Sequence, residues 1–424
     1  MTHLTTLSVR ALGTVSALAL SAVSVLAVDL DFMFDANDNE AEILADFVER
    51  YKEVAPDVNI TLNLVGYDVI RDQLKTQLEA GTGPDIAFVT DLGGLNPYYI
   101  DLTPFVDAAE WEENYGAVLP WYRAGKPDGI YGFQTAMTVT GPFVNVTMFD
   151  EAGIEMPEPG ATWDDWAEAT RAVMDAGAYA GMVMDRSGHR MAGPAMSYGA
   201  KYFDADGNWI LDEGFRDFAQ RMIDWHASGL MPPDIWPAVS GGKYANGNEI
   251  FFDEDVPFFM SGSWNVGNVA NNVGDTFEWR VVPVPCGPAG CGVMPGGPGL
   301  VAFSHGENAE EAAKFVAWMG ETDNAREWYT RTLAIPAHAG LQEEGLDYAS
   351  AGASEAVSEG LNLFAEMVGT AAEQTPQAFE AQGNATNFVV FNATVQYLAE
   401  AMNGDITLDE AIAKMDEEIA KNAN

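Results

Sequence analysis

Basic side chains are scarce in this sequence: 20 Lys and Arg stand against 64 Asp and Glu, for a formal net charge of −44. Binding nucleic acid requires cations to neutralise phosphates, and no cluster of four or more Lys and Arg occurs, so that class of function is set aside. The same repulsion argues against docking on an anionic lipid surface. Cysteine is nearly absent, with only Cys286 and Cys291, and the five histidines, His3, His189, His226, His305 and His338, lie far apart. Zinc-ligand spacing is therefore missing, and no metal or cofactor is expected. There is no Gly-x-Ser-x-Gly elbow, P-loop or His-Glu-x-x-His, so no catalytic residue is assigned. Carboxylate pairs for glycoside hydrolysis can always be found among 64 acids and carry no information.

What is present is the composition of a folded chain: 48% apolar residues, with 11 Trp, 14 Tyr and 22 Phe spread over 424 positions. That length suggests two or three domains, and the acid excess belongs to a folded surface of the kind typical of salt-adapted organisms. The one long apolar run covers residues 11–28, follows Arg10 and ends in Val25-Leu26-Ala27. It reads as a secretory signal peptide over 1–27, with cleavage expected after Ala27. No cysteine lies near that site, so a soluble protein released into a periplasm-like space is expected rather than a lipid-anchored one. In an oxidising compartment the Cys286-Gly-Pro-Ala-Gly-Cys291 loop is expected to close a local disulfide.

Along the mature chain, 28–34 alternates as a strand, and 40–54 sets Ile43, Leu44, Phe47, Val48 and Tyr51 on one helical face. A second strand is read at 58–65. Ile70, Leu74 and Leu78 mark a helix that stops near Gly81, and Asp85–Val89 is a third strand. Alternation at this spacing implies parallel pairing in a doubly wound α/β lobe, whose ligands sit beyond the carboxyl ends of strands, at Asp35–Asp38 and Thr90-Asp91. Residues 128–149 are extended and long enough to cross between two lobes. A capping box opens a helix at Thr162, with further helices near 212–228, 308–319 and 386–402, so the second lobe reads as mostly helical. The Asp204-Ala-Asp206-Gly207-Asn208 run lacks a third ligand before the glycine and a closing Glu, and is read as a hairpin turn rather than a calcium loop.

Several segments in fixed order resemble the extracellular solute-binding proteins of ATP-binding-cassette sugar importers, the maltose-binding-protein-like group. They are Gly81-Thr82-Gly83-Pro84-Asp85-Ile86, Asp101-Leu102-Thr103-Pro104, Asp128–Gly132, Asn145–Gly153 leading into Pro157 and Thr162-Trp163-Asp164-Asp165, and Phe259–Trp264. Val282–Pro285, Asn308–Phe315, Ile335-Pro336-Ala337 and Gly404–Ala411 follow, so the match spans nearly the whole mature chain. Val146 departs from the Lys usual after the Asn, and the cysteine loop is not general in the family. The resemblance implies a two-lobed α/β periplasmic-binding-protein fold that hinges shut on its ligand. It divides the chain into 28–135 plus 284–318 and 140–280 plus 322–424, with crossovers at 136–139, 281–283 and 319–321. It also implies a monomeric receptor, not an enzyme, that delivers a carbohydrate to the transmembrane permease subunits of a transporter.

Sugars need a flat aromatic for their C–H face and carboxylates or amides for their hydroxyl edge. By resemblance, Trp264 stacks on a sugar ring and Asp91 accepts hydroxyl protons. At least one of Asp35, Asn37 and Asp38 is expected to touch ligand, the others capping a helix. Gln134 begins the first crossover, and Gly296-Gly297 would let backbone amides approach a ligand closely. Arg331 precedes a stretch that lies at the cleft in relatives, although pairing with the acidic surface is an equal reading. Phe391, Trp236 and Tyr202 are second-rank stacking faces for which a core position is favoured. An anionic sugar derivative or other polyol is the alternative ligand and would draw on Arg331, Lys201 or Arg190; a secreted glycoside-acting enzyme is a more distant one.

Overall fold

The computed structural model describes residues 1, 27–36, 40–124, 128–237 and 242–422. The expected signal peptide, together with Asn37 and Asp38, lies outside these residues apart from Met1 and Ala27. Among the described residues two five-stranded sheets organise the chain. The first has the order β2-β1-β3-β10-β4, from β1 (Val28–Phe34), β2 (Val58–Leu64), β3 (Ile86–Val89), β4 (Phe133–Gln134) and β10 (Gly299–Ala302). β1 lies parallel to both β2 and β3, as the strand–helix alternation requires, while β10 runs antiparallel to β3 and β4. Alternation in β1 buries Leu30, Phe32 and Phe34 and exposes Asp29 and Asp31. Phe32 meets Phe88 and Phe315 edge-on, which locks the sheet to the helix Ala309–Met319. The helix Glu40–Tyr51 buries the five residues its periodicity marks.

The second sheet runs β6-β7-β5-β8, from β5 (Thr138–Asn145), β6 (Met182–Met184), β7 (Phe258–Gly262) and β8 (Trp279–Val281); β9 (Pro295–Gly296) pairs with the start of β5. The extended stretch read at 128–149 therefore divides. β4 belongs to the first sheet and β5 to the second, so the chain crosses at Thr135–Met137, and from Val146 it turns helical under the Asn145 cap. The capping box at Thr162 and Asp165 forms as expected. Asp204 accepts from the amides of Asp206 and Asn208, which makes that run a turn.

The two later crossings differ from the expected 281–283 and 319–321. Residues 282–296 stay on the second lobe, because Val282 N donates to Pro142 O, Cys286 N to Ala161 O and Ala289 N to Ser197 O. The passage to the first sheet then falls between Gly296 and Gly299. The helix Thr322–Arg331 still belongs to the first lobe. Its Trp328 packs edge-on against Phe47 and Phe88 and donates to Thr135 O, and Tyr329 donates to Gln134 O. The next helix against the second sheet is Glu355–Gln374, where Phe364 meets Phe143 of β5. Among the described residues no helix is long and apolar enough to cross a membrane. Cys286 and Cys291 are joined in a disulfide.

Candidate functional site

A cleft of about 550 Å³ opens between the two sheets. In the first lobe its wall is made by the carboxyl ends of parallel strands: Asp35 after β1, Leu64 and Val65 at the end of β2, and Phe88 and Thr90 at the end of β3. This is where side chains released from the sheet can reach a ligand. Glu40 and Tyr67, in the first turns of the helices that follow β1 and β2, complete this side. The second lobe contributes the ends of its own parallel pair: Ser187, His189 and Arg190 after β6, and Ser263, Trp264 and Asn265 after β7. The floor is the crossing chain itself, Thr135–Thr138, Gly297 and Pro298, with Thr332–Ile335 beside it.

The floor is packed tightly. A Cβ at Gly297 would lie 2.0 Å from Ala136 O and 2.7 Å from Gln134 Nε2, and its φ of +134° lies outside the range of side-chain-bearing residues. Glycine is what allows the crossings to run back to back beneath the ligand space. Gln134 is spent in the same packing, accepting from Tyr122 Oη at 2.6 Å and donating to Ala136 O at 2.8 Å.

The rims meet across the cleft. The rings of Tyr67, from the first lobe, and Tyr244, from the second, pack edge to face with centroids 5.5 Å apart. Tyr67 Oη is 2.9 Å from Thr90 Oγ1. On the second-lobe wall the Arg190 guanidinium carbon lies 3.7 Å from the Trp264 ring centroid. Arg190 Nε reaches Asp185 Oδ2 at 3.4 Å, and its Nη1 donates to His189 Nδ1 at 3.0 Å. The Pro295 carbonyl, 3.1 Å from His189 Nε2, can only accept, which fixes the proton on Nε2 and leaves Nδ1 free to take the arginine hydrogen. Burial, with the Arg190 charge beside it, pushes the His189 pKa down to about 3, so the ring is neutral. Burial raises the Asp35 pKa, and this carboxylate has no side-chain partner among the described residues.

The structure thus brings Asp35, Gly297, Trp264 and Phe391 to the cleft wall. Other expected residues lie elsewhere. Asp91 accepts from Gly94 N at 3.0 Å and closes a turn, with burial lifting its pKa to about 6. Gly296 sits under the His189 ring rather than on the wall. Trp236 is fully buried and donates to Met184 O; Tyr202 is buried against Trp209 and Phe215. Arg331 pairs on the surface with Asp46 and Glu327, at 2.6 and 2.8 Å, and so ties its helix to Glu40–Tyr51. Lys201 is exposed away from the cleft, and the cysteine loop does not line it either. Sequence reasoning missed Tyr67, Tyr244, Asn246, His189 and Gln382. Tyr244 and Asn246 sit in an aperiodic stretch that gives no signal, whereas Tyr67, immediately after a strand and at the start of a helix, could have been read from the rule that placed Asp35.

Two α/β lobes, joined by three crossings and holding a ligand-sized cleft at their strand ends, define the two-lobed periplasmic-binding-protein fold. Solved structures carry the same architecture. The GacH receptor of Streptomyces glaucescens, described unliganded and with acarbose, is 18% identical with a TM-score of 0.75, covering 93% of this chain and 98% of that one. The substrate-binding protein Lmo0181 of Listeria monocytogenes, in complex with cycloalternan, is 16% identical with a TM-score of 0.73 over 93% and 99%. A solute-binding protein of Thermotoga lettingae, with α-D-tagatose bound, is 17% identical with a TM-score of 0.73 over 93% and 99%. Residues 37–326 match the family described as bacterial extracellular solute-binding protein, and this chain belongs to that family.

Proposed function

We infer that this protein is a periplasmic receptor that captures a neutral carbohydrate, from a monosaccharide to a short oligosaccharide, and delivers it to the permease of an ATP-binding-cassette transporter, making and breaking no bond. The observation that carries the reading is the make-up of the cleft wall. Aromatic rings from Tyr67, Tyr244 and Phe388 line it together with hydroxyl and amide groups such as Thr90, Asn246 and Gln382. This is the pairing that a sugar's apolar face and polar edge demand. The similar proteins above are recorded with acarbose, cycloalternan and tagatose bound, which supports the same class.

Charge favours a neutral ligand over an anionic one. Arg190 is the only Lys or Arg among the described wall residues and already has Asp185 behind it, while Asp35 and Glu40 add two carboxylates to the first-lobe wall. Closure follows if the ligand touches both walls at once, since equal affinity for open and closed forms shifts nothing. The acidic mature chain, freed of residues 1–27, would work in the periplasm as a monomer. A thermal-shift screen with acarbose, cycloalternan, D-tagatose, maltose, sugar phosphates and sugar acids tests the reading. Stabilisation by at least one neutral sugar, without its hydrolysis, is expected. Stabilisation by anionic compounds alone, or turnover of the sugar, overturns it.

A further inference from the structure

The indole that the family resemblance marks as a sugar platform is already covered. Arg190 lies over the Trp264 ring at 3.7 Å, inside the range of a cation–π contact. The indole is also closely packed at its outer carbons, because a Cβ on Gly262 would fall 2.0 Å from Trp264 Cζ3 and 2.6 Å from Val139 O. Arg190 is also anchored. Asp185, 0% exposed, accepts from Ser261 Oγ at 2.6 Å, from Gly247 N at 2.9 Å and from Arg190 Nε, while His189 Nδ1 takes an Nη1 hydrogen. A guanidinium carries five hydrogens in a rigid fork; these two bonds use two of them, the Tyr244 hydroxyl accepts a third, and two remain for a ligand. Arg190 is 8% exposed, and that remaining surface lines the cleft.

We propose that Arg190, seated on Trp264 and held from behind by Asp185, is the group that grips the ligand on this wall, and that it selects carbohydrates presenting two neighbouring neutral hydroxyl oxygens. Trp264 then acts as a positioning residue: it supports the guanidinium and does not itself stack on the sugar. This rests on the carbohydrate reading above. The buried carboxylate offsets the guanidinium charge, so the fork serves as a pair of aimed donors more than as a net cation.

The test is isothermal titration of acarbose, cycloalternan, D-tagatose and D-glucuronate into wild type, Arg190→Lys, Trp264→Phe and the double variant Asp185→Asn/Arg190→Met. The double variant removes both charges together, so no buried ion is orphaned and the fold is expected to hold, which circular dichroism checks. The neutral sugar that binds wild type should bind Arg190→Lys about 10-fold and the double variant about 30-fold or more weakly. Trp264→Phe, which keeps a ring under the guanidinium, should stay within about 3-fold. Unchanged or tighter binding by the folded double variant overturns the proposal alone, because freeing the indole would then have done no harm. Glucuronate binding more tightly than every neutral sugar overturns the selection of neutral hydroxyls. No binder for wild type sinks the carbohydrate reading and this proposal together. The seating itself is read without ligand: the Arg190 Nε–H resonance should show a ring-current shift that Trp264→Ala abolishes, and its absence in wild type refutes the stack.

Discussion

Alanine at Gly262 is the sharpest single test of how the second-lobe wall is built. The position is extended and paired with Thr140 of β5, so the backbone tolerates any residue, and the obstacle is purely one of space. The new methyl would sit 2.0 and 2.1 Å from Cζ3 and Cη2 of Trp264 and 2.6 Å from Val139 O. The indole can swing, but the carbonyl belongs to the strand pairing of the sheet and cannot. Overpacking of this kind costs about 1–3 kcal/mol. In a chain of this size that lowers Tm by about 1–4 °C, measurable by calorimetry. Displacing the ring also removes the seat under Arg190, and with a cation–π contact of about 0.5–2 kcal/mol at stake, sugar affinity should fall roughly 2–30-fold. Gly262→Ser should behave in the same way. A Gly262→Ala protein that melts within about 0.5 °C of wild type and titrates identically would refute the packing argument.

Three further outcomes follow from the same structure. Arg331→Ala breaks two half-exposed ion pairs, with Asp46 and Glu327, so stability should fall by about 0.5–1 kcal/mol at low salt and by nothing measurable in molar salt; sugar affinity should not change, and a loss of affinity would return Arg331 to the site. Burial lifts Asp91 from 3.8 to about 6, so the folded state keeps a proton that the unfolded chain has lost, and this group's contribution falls as pH rises from about 4 to about 6. Asp91→Asn should therefore be about 1–3 kcal/mol more stable than wild type at pH 7, with the gap closing below about pH 4 in urea melts; equal stability at pH 7 contradicts the shift. Replacing both Cys286 and Cys291 by Ser opens a short loop whose closure entropy is worth about 2 kcal/mol, and an unchanged denaturation midpoint would show that the packing of Cys286 and Ala289 against Ala161 and Ser197 holds it unaided.

The sequence was informative wherever structure is local. The helix Glu40–Tyr51, the parallel strands around it and the capping box at Thr162 are written in periodicities of two and 3.6 and in short-range hydrogen bonds. The ends of β1 and β3 were also legible, because side chains leave a sheet there. What failed were judgements that depend on distant partners. The prolines of Val282–Pro285 look like a crossover, yet this stretch stays on the second lobe because Pro142 and Ala161 lie beside it in space. For Arg331 the surface pairing was one of two readings, and Glu327 four residues earlier supports it locally, but the second partner, Asp46, lies 285 residues away and only the fold supplies it. Trp264 was found through family resemblance, but the guanidinium covering it comes from another strand end, after β6, and only the fold brings the two together.

The strand order of the first sheet sets a timetable for how the protein can be made. β10 lies between β3 and β4, so the edge of β3 stays bare until Gly299–Ala302 have been synthesised, some two hundred positions after Val89. A nascent chain shorter than that has an unfinished lobe with an open template for wrong pairing. Neither half can be obtained by a single cut, and fragments ending before residue 299 should require a helper that shields the edge, or should aggregate.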